Sequence, residues 1–198
     1  VITAYEYVCK DVDKAFRATP MLKEKYDRND LRPNKYFDVA DKNGNFPVLK
    51  CGSTQFSCSF RTGEIYLNAA EAAVHLNKLS EARGRLLKLI ENRYTPEGYT
   101  LKKNEIEAMS QEALLAEIQE ERTKELAFEG HRWFDLIRTG KAIEVMKAHF
   151  ANTTGYNGVS LNENNLVQPV PLSQIDTDSS IKQLSLIHIS EPTRLRRI

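Results

Sequence analysis

The sequence predicts an all-α protein made of tetratricopeptide-like helical hairpins with long irregular loops between them. Three observations predict it. Two helical patterns are separated only by Asn77, Lys78 and Leu79, which forces an antiparallel hairpin. A longer helix opens at Ser110. Residues 29 to about 60 carry aromatic rings and turn formers but no helical period.

Taken in order, residues 1 to about 27 read as one or two helical pieces broken at Thr19-Pro20, since proline ends or kinks a helix. Between Asn29 and Phe60, Asn29-Asp30, Arg32-Pro33-Asn34, Asn43-Gly44-Asn45 and Phe46-Pro47 follow at turn-forming intervals. Loops this long inside a compact domain are functional or disordered, and Tyr36, Phe37, Phe46 and Phe56 argue against disorder. From Arg61 to about Leu76, apolar residues at Ile65, Tyr66, Ala69, Ala70, Ala73 and Leu76 mark one face of a helix. Ser80 is placed to cap the next, whose face is Ala82, Leu86, Leu89 and Ile90. After the turn-rich Thr95-Pro96-Glu97-Gly98, Ser110 caps a helix running from Gln111 towards Phe128. Gly130 marks a break, His131 to Arg138 a short helix stopped by Gly140, and Lys141 to Phe150 the last helix. Pro169-Val170-Pro171 is extended, because each proline pushes its predecessor out of the helical region.

Composition excludes several functions. A formal net charge of +1 gives no electrostatic grip on nucleic acid or on an anionic membrane. No apolar run approaches the ~20 residues needed to span a bilayer. Cys9, Cys51 and Cys58 are odd in number and form no C-x-x-C pair, so they read as structural or free thiols. No glycine-rich phosphate loop or nucleophile motif occurs, so no cofactor is expected. Glu71 and His75 stand four residues apart but two ligands do not make a metal site; an ion pair is the plainer reading. Trp133, with Phe134, Leu136 and Ile137, reads as core.

The segment from Glu120 to Arg138 is the most informative. The face entered by Leu114, Leu115 and Ile118 continues onto Arg122, Glu125, Glu129 and, if the helix runs on, Arg132, with Asp135 and Arg138 beyond. A stripe that should be apolar becomes an alternating charge ladder. Glu125 and Glu129 could be a glycosidase acid–base pair. Against this, an acid catalyst needs an apolar site that raises its pKa, whereas neighbouring guanidinium groups lower it. These six residues are therefore read as a structural charge network and no residue as catalytic.

The assembled segments resemble the C-terminal half of the SusD/RagB family. Arg61-Thr62-Gly63-Glu64-Ile65-Tyr66-Leu67-Asn68-Ala69-Ala70-Glu71-Ala72 is similar to its R-x-x-E-x-Y-L-x-x-A-E-A helix. Ile118 to Arg138 follows its I-x-x-E-R-x-x-E-L-x-F-E-G-x-R-W-x-D-L-x-R signature. Asn29-Asp30-Leu31-Arg32 with Tyr36-Phe37, and Pro169-Val170-Pro171-Leu172-Ser173-Gln174-Ile175, match two further stretches, with Gln174 in place of the usual acid. The resemblance implies an all-α, non-enzymatic lipoprotein on the bacterial outer membrane. It would take an oligosaccharide, in some members a peptide, and pass it to a SusC-like TonB-dependent transporter. Membrane attachment would be only through a lipid anchor upstream of Val1. Residues 1–183 would then be the C-terminal part of such a domain, with loops at 29–60, a helical core at 61–150 and an extended segment at 151–183. Residues 184–198 match nothing in the pattern, turn apolar then basic, and read as foreign sequence. Loop rings stacking on sugar faces make Tyr36, Phe37 and Phe46 the expected ligand contacts. A helical-repeat adaptor that binds only protein is the rival reading, and glycoside hydrolysis a distant third.

Overall fold

The computed structural model describes residues 17–50, 61–151, 162–166, 170–178 and 180–182. The three cysteines, residues 51–60 and the 184–198 tail lie outside the described residues. The chain divides into two compact units, one up to Arg132 and one from Trp133 onward.

Residues 1–16, on which part of the expected N-terminal helices falls, lie outside the described residues. The first described elements of the first unit are a two-residue strand, β1 (Arg17–Ala18), and a one-turn helix, α1 (Pro20–Lys23). Pro20 does not break a helix here but starts one. At the first helical position its missing N–H costs nothing. A second single turn, α2 (Pro33–Tyr36), is followed by β2 (Phe46–Pro47), which pairs antiparallel with β1. The short ladder was not foreseen, because two residues on each side leave no readable alternation.

The helical hairpin is α3 (Thr62–His75) and α4 (Leu79–Ile90). Their joint is a left-handed cap: Asn77 takes φ 57°, its N–H donates to Val74 O and the Lys78 N–H donates to Ala73 O. Asn77 thereby does the work usual for glycine. Lys78, not Ser80, is the residue at the start of α4, and no side chain caps it. The buried face of α4 is Ala82, Leu86, Leu89 and Ile90, as its spacing predicts. The face of α3 is rotated from the expected one. Leu67, Ala70, Ala73 and Val74 are buried, while Ile65 and Leu76 are mostly exposed. The reason is that α3 packs on two partners, α4 and α6, and so buries a different arc.

An unforeseen helix, α5 (Pro96–Ala108), occupies what reads as a turn-rich link. Thr95 and Pro96 are its cap and first position: Thr95 Oγ1 accepts from the Gly98 N–H at 3.1 Å. Gly98 is glycine because a Cβ there would collide with Asn29 Cβ. Arg83 reaches across to the end of α5, donating to Ile106 O and Met109 O. The next helix, α6 (Gln111–Glu125), is capped by Ser110, whose Oγ accepts from the Ala113 N–H. It stops at Glu125, three residues short of the expected end. Leu67, Leu86, Ile90, Ile106, Leu114 and Ile118, all nearly inaccessible, form the aliphatic core between α3, α4, α5 and α6.

Helix α7 (His131–Arg138) leads on to α8 (Ala142–Ala151), a 3-10 turn (Glu163–Leu166) and α9 (Leu172–Thr177). Gly140 at φ 68° closes α7, with Lys141 N–H donating to Leu136 O. Pro171 is extended at φ −55°, ψ 134° and precedes α9. The described residues are mostly helical, and the fold class is all-α.

Candidate functional site

The charged stripe of α6 is the polar centre of the first unit. Glu121 and Glu125 have no accessible surface, and Arg122 and Lys124 have almost none. A carboxylate so placed must have every lone pair filled or carry a large desolvation cost. Glu125 meets that demand with cations from three other segments. Its Oε1 accepts from Arg61 Nη2 at 2.6 Å and Arg93 Nη2 at 2.9 Å. Its Oε2 accepts from Arg93 Nε at 2.9 Å and Arg32 Nη1 at 3.1 Å. Burial raises the pKa of this carboxyl, but Arg93, Arg32 and Arg61 outweigh it and hold it below the ordinary value.

Arg32 is the other hub. It grips Asp30 through Nε and Nη2, with Nη2 at 2.6 Å from Oδ2, and donates from Nη1 to Glu121 at 2.5 Å. Its guanidinium lies between two rings, 5.6 Å from Tyr26 and 6.0 Å from Tyr94. Burial works against the charged form of Arg32, and Glu121 and Asp30 more than restore it. Backbone bonds fix this segment to the end of α4: Leu31 N–H donates to Arg93 O, and Thr95 N–H to Asn29 O. The two arginines are thereby delivered to Glu125 together.

Around the end of α6, Lys50 spends all three of its donors. Its Nζ lies 2.6 Å from Glu125 O, 2.9 Å from Ala127 O and 2.5 Å from Glu129 Oε1. Glu125 O is a carbonyl that α6 leaves unpaired and Ala127 O lies just beyond the helix, so an ammonium neutralises the negative end of the helix dipole. Burial depresses the Lys50 pKa, and Glu129 only partly restores it. Arg61 joins this corner by pairing with Glu129 and donating to Glu125 O.

The ladder along one helix does not form. Because α6 ends at Glu125, Glu129 lies in the following turn and Arg132 on the next helix. Arg122 donates to Asn68 at 2.5 Å, and Arg132 to Thr123 at 2.7 Å. Asp135 pairs with Arg138, three residues on, at the surface of the second unit. The cations facing Glu125 and Glu129 are Arg32, Lys50, Arg61 and Arg93, none of which the helical spacing indicates. Asp30, Arg32 and Arg61 do stand inside the motifs quoted above, but spacing cannot pair residues 93 positions apart.

The loop rings lie beside this lattice. Tyr36 and Phe37 are buried, 9% and 5% exposed, and Phe46 is half-buried. Phe37 is the centre: its ring meets Tyr26 at 5.6 Å, Tyr36 at 6.3 Å, Phe128 at 6.3 Å and Phe46 at 6.4 Å. In this arrangement Tyr36 and Phe37 present their rings to neighbours rather than to solvent. Burial pushes the Tyr36 hydroxyl up to about 12. Lys50 Nζ sits 4.5 Å from the Tyr36 ring and so ties the aromatic cluster to the end of α6. On α3, Glu71 is buried and His75 exposed. Among the described residues no group of three or more histidine, cysteine, aspartate or glutamate side chains could hold a metal ion. No helix among them is long and apolar enough to cross a membrane.

The arrangement binds charge to charge inside the protein and leaves Glu125 no lone pair for a substrate. Comparison with curated proteins finds no match. The SusD family model matches residues 15–185, which takes in both buried clusters and nearly the whole chain. The chain belongs to the SusD family, whose members are nutrient-binding proteins of the outer membrane rather than enzymes.

Proposed function

We propose that this chain belongs to a surface protein that captures an oligosaccharide and delivers it to a SusC-like, TonB-dependent outer-membrane transporter. The observation that carries this reading is the family match over residues 15–185. The proposed chemistry is reversible binding: ring faces on the apolar faces of sugars, with hydrogen bonds at the rim, and no metal or cofactor. The charge lattice supports it indirectly, because it anchors residues 29–50 to the helices and holds the loop rings in place.

Within the loop, Phe46 is the proposed ligand contact. It keeps part of its surface open, with Lys23 Nζ 5.8 Å from its ring. Tyr36 and Phe37 are proposed to hold it from behind and to meet a ligand only if the loop rearranges. Membrane attachment is proposed to be through a lipid anchor.

Isothermal calorimetry of the protein against a glycan panel tests the reading. Heat with one sugar class, reduced at least tenfold in affinity by Phe46→Ala, is expected. Heat with peptides alone would replace the oligosaccharide by a peptide, and silence with both would favour a protein-only adaptor.

A further inference from the structure

The turn that follows α6 contains a backbone feature that neither the family match nor the charge lattice explains. Phe128 has φ 66°, in the left-handed region where a non-glycine side chain is strained. Glycine follows closely, at Gly130 with φ 81°, yet the strained position itself carries a large ring. A left-handed residue with a Cβ shifts the local equilibrium against its own conformation by about fivefold to thirtyfold. Something must hold it there.

Three contacts do so. The Phe128 ring packs edge-on against Phe37, with centroids 6.3 Å apart and planes at 78°. Lys50 Nζ grips the preceding carbonyl, Ala127 O, and the following carboxylate, Glu129. The Glu129 N–H closes the turn onto Leu126 O at 3.1 Å. The ring contact comes from the aromatic cluster of the 36–48 loop, and the ammonium from the same loop's end. The ring and this ammonium therefore arise in one segment and the strain resides in another, with Arg61 as a second cation on Glu129.

We propose that Leu126–Gly130 is a strained catch, closed by the aromatic cluster and released when that cluster is disturbed. In the closed form Phe37 and Lys50 hold Phe128 left-handed and Glu129 in its pocket. In the open form Phe128 relaxes to negative φ, and Glu129 leaves Lys50. What engages the 36–48 loop is then felt at Glu129, one residue before Gly130 and two before α7. The ligand part of this inference rests on the binding proposed for that loop. The catch itself is tested without ligand, so failure of one leaves the other standing.

The test is amide hydrogen exchange, detected by NMR, at Glu129, with Leu114 and Ile118 amides reporting the intact helical core. Phe37→Ala is expected to speed exchange at Glu129 at least tenfold and to leave the core amides unchanged. Adding Phe128→Gly to Phe37→Ala should then slow Glu129 exchange again, by about fivefold to thirtyfold, because glycine adopts φ 66° without strain. Ordinary packing predicts the opposite sign, since removing a second ring can only loosen the turn. Unchanged or faster exchange in the double variant overturns the proposal, as does Glu129 exchange indifferent to Phe37→Ala. Should Phe37→Ala fail to fold, Phe37→Leu with and without Phe128→Gly asks the same question, and the same signs decide it.

Discussion

The two halves of α6 are equally buried and chemically opposite. Leu114 and Ile118 sit at zero exposure against Leu67, Leu86, Ile90 and Ile106; one turn later Glu121 and Glu125 sit at zero exposure among arginines and lysines. Burial along this helix is therefore set by where the chain runs, not by what side chains it carries. In the first half removal of apolar area from water supplies the stabilisation. Around the second half the desolvation of Glu121 and Glu125, with Asp30 from the loop and Glu129 from the following turn, is offset by Arg32, Lys50, Arg61, Arg93 and Lys124. An aliphatic core tolerates many packings of similar volume, whereas a carboxylate with four filled lone pairs accepts one arrangement. The ionic half thus fixes how the 29–50 loop sits on the helices.

Removing one member of the ionic half should do the largest damage. Glu125→Gln leaves three guanidinium groups facing a neutral amide that cannot satisfy them, and should cost about 3–5 kcal/mol in urea unfolding at pH 7. Ile118→Ala should cost a comparable 2–5 kcal/mol, roughly, through its cavity. The two separate on acidification. The Glu125 penalty should shrink as pH falls below the ordinary 4.5, because the ionised carboxylate is the form the arginines stabilise, whereas the Ile118 penalty should not change. An equal loss of both penalties with pH would erase the distinction between the halves.

Lys50→Met comes next. It removes one donor each from Glu125 O, Ala127 O and Glu129 while keeping the apolar stem, for a cost of about 1–3 kcal/mol by the same unfolding measurement. Smallest of all is Arg85→Ala, which breaks an exposed ion pair with Glu81, four residues away, both about half exposed. Its effect should stay under about 0.5 kcal/mol and vanish in high salt. A larger loss there than at Lys50 would mean that charge count, not burial, governs these interactions.

The sequence made the aliphatic half legible and left most of the ionic half hidden. Spacing marked α4, the start of α6 at Ser110 and the stop at Gly140, because these depend on residues within a few positions of one another. Helix α5 was concealed by Thr95-Pro96-Glu97-Gly98, a stretch with turn composition that in fact caps and starts a helix. The charge stripe was visible as residues out of place on an apolar face. Its partners were not, since Arg32, Lys50, Arg61 and Arg93 reach Glu125 and Glu129 from 32 to 93 residues away. Tyr36 and Phe37 were visible as aromatics in a loop, but only three-dimensional packing shows that their rings are buried.

Glu125 carries the central claim that this lattice is an internal brace whose carboxylate stays ionised. The direct measurement is a 13C NMR titration of the Glu125 side-chain carboxyl, assigned by its disappearance in Glu125→Gln. The brace predicts a midpoint below the ordinary 4.5, because Arg93, Arg32 and Arg61 favour the charged form more than burial opposes it. A midpoint raised towards neutrality, as an acid catalyst in an apolar cleft would show, would contradict it.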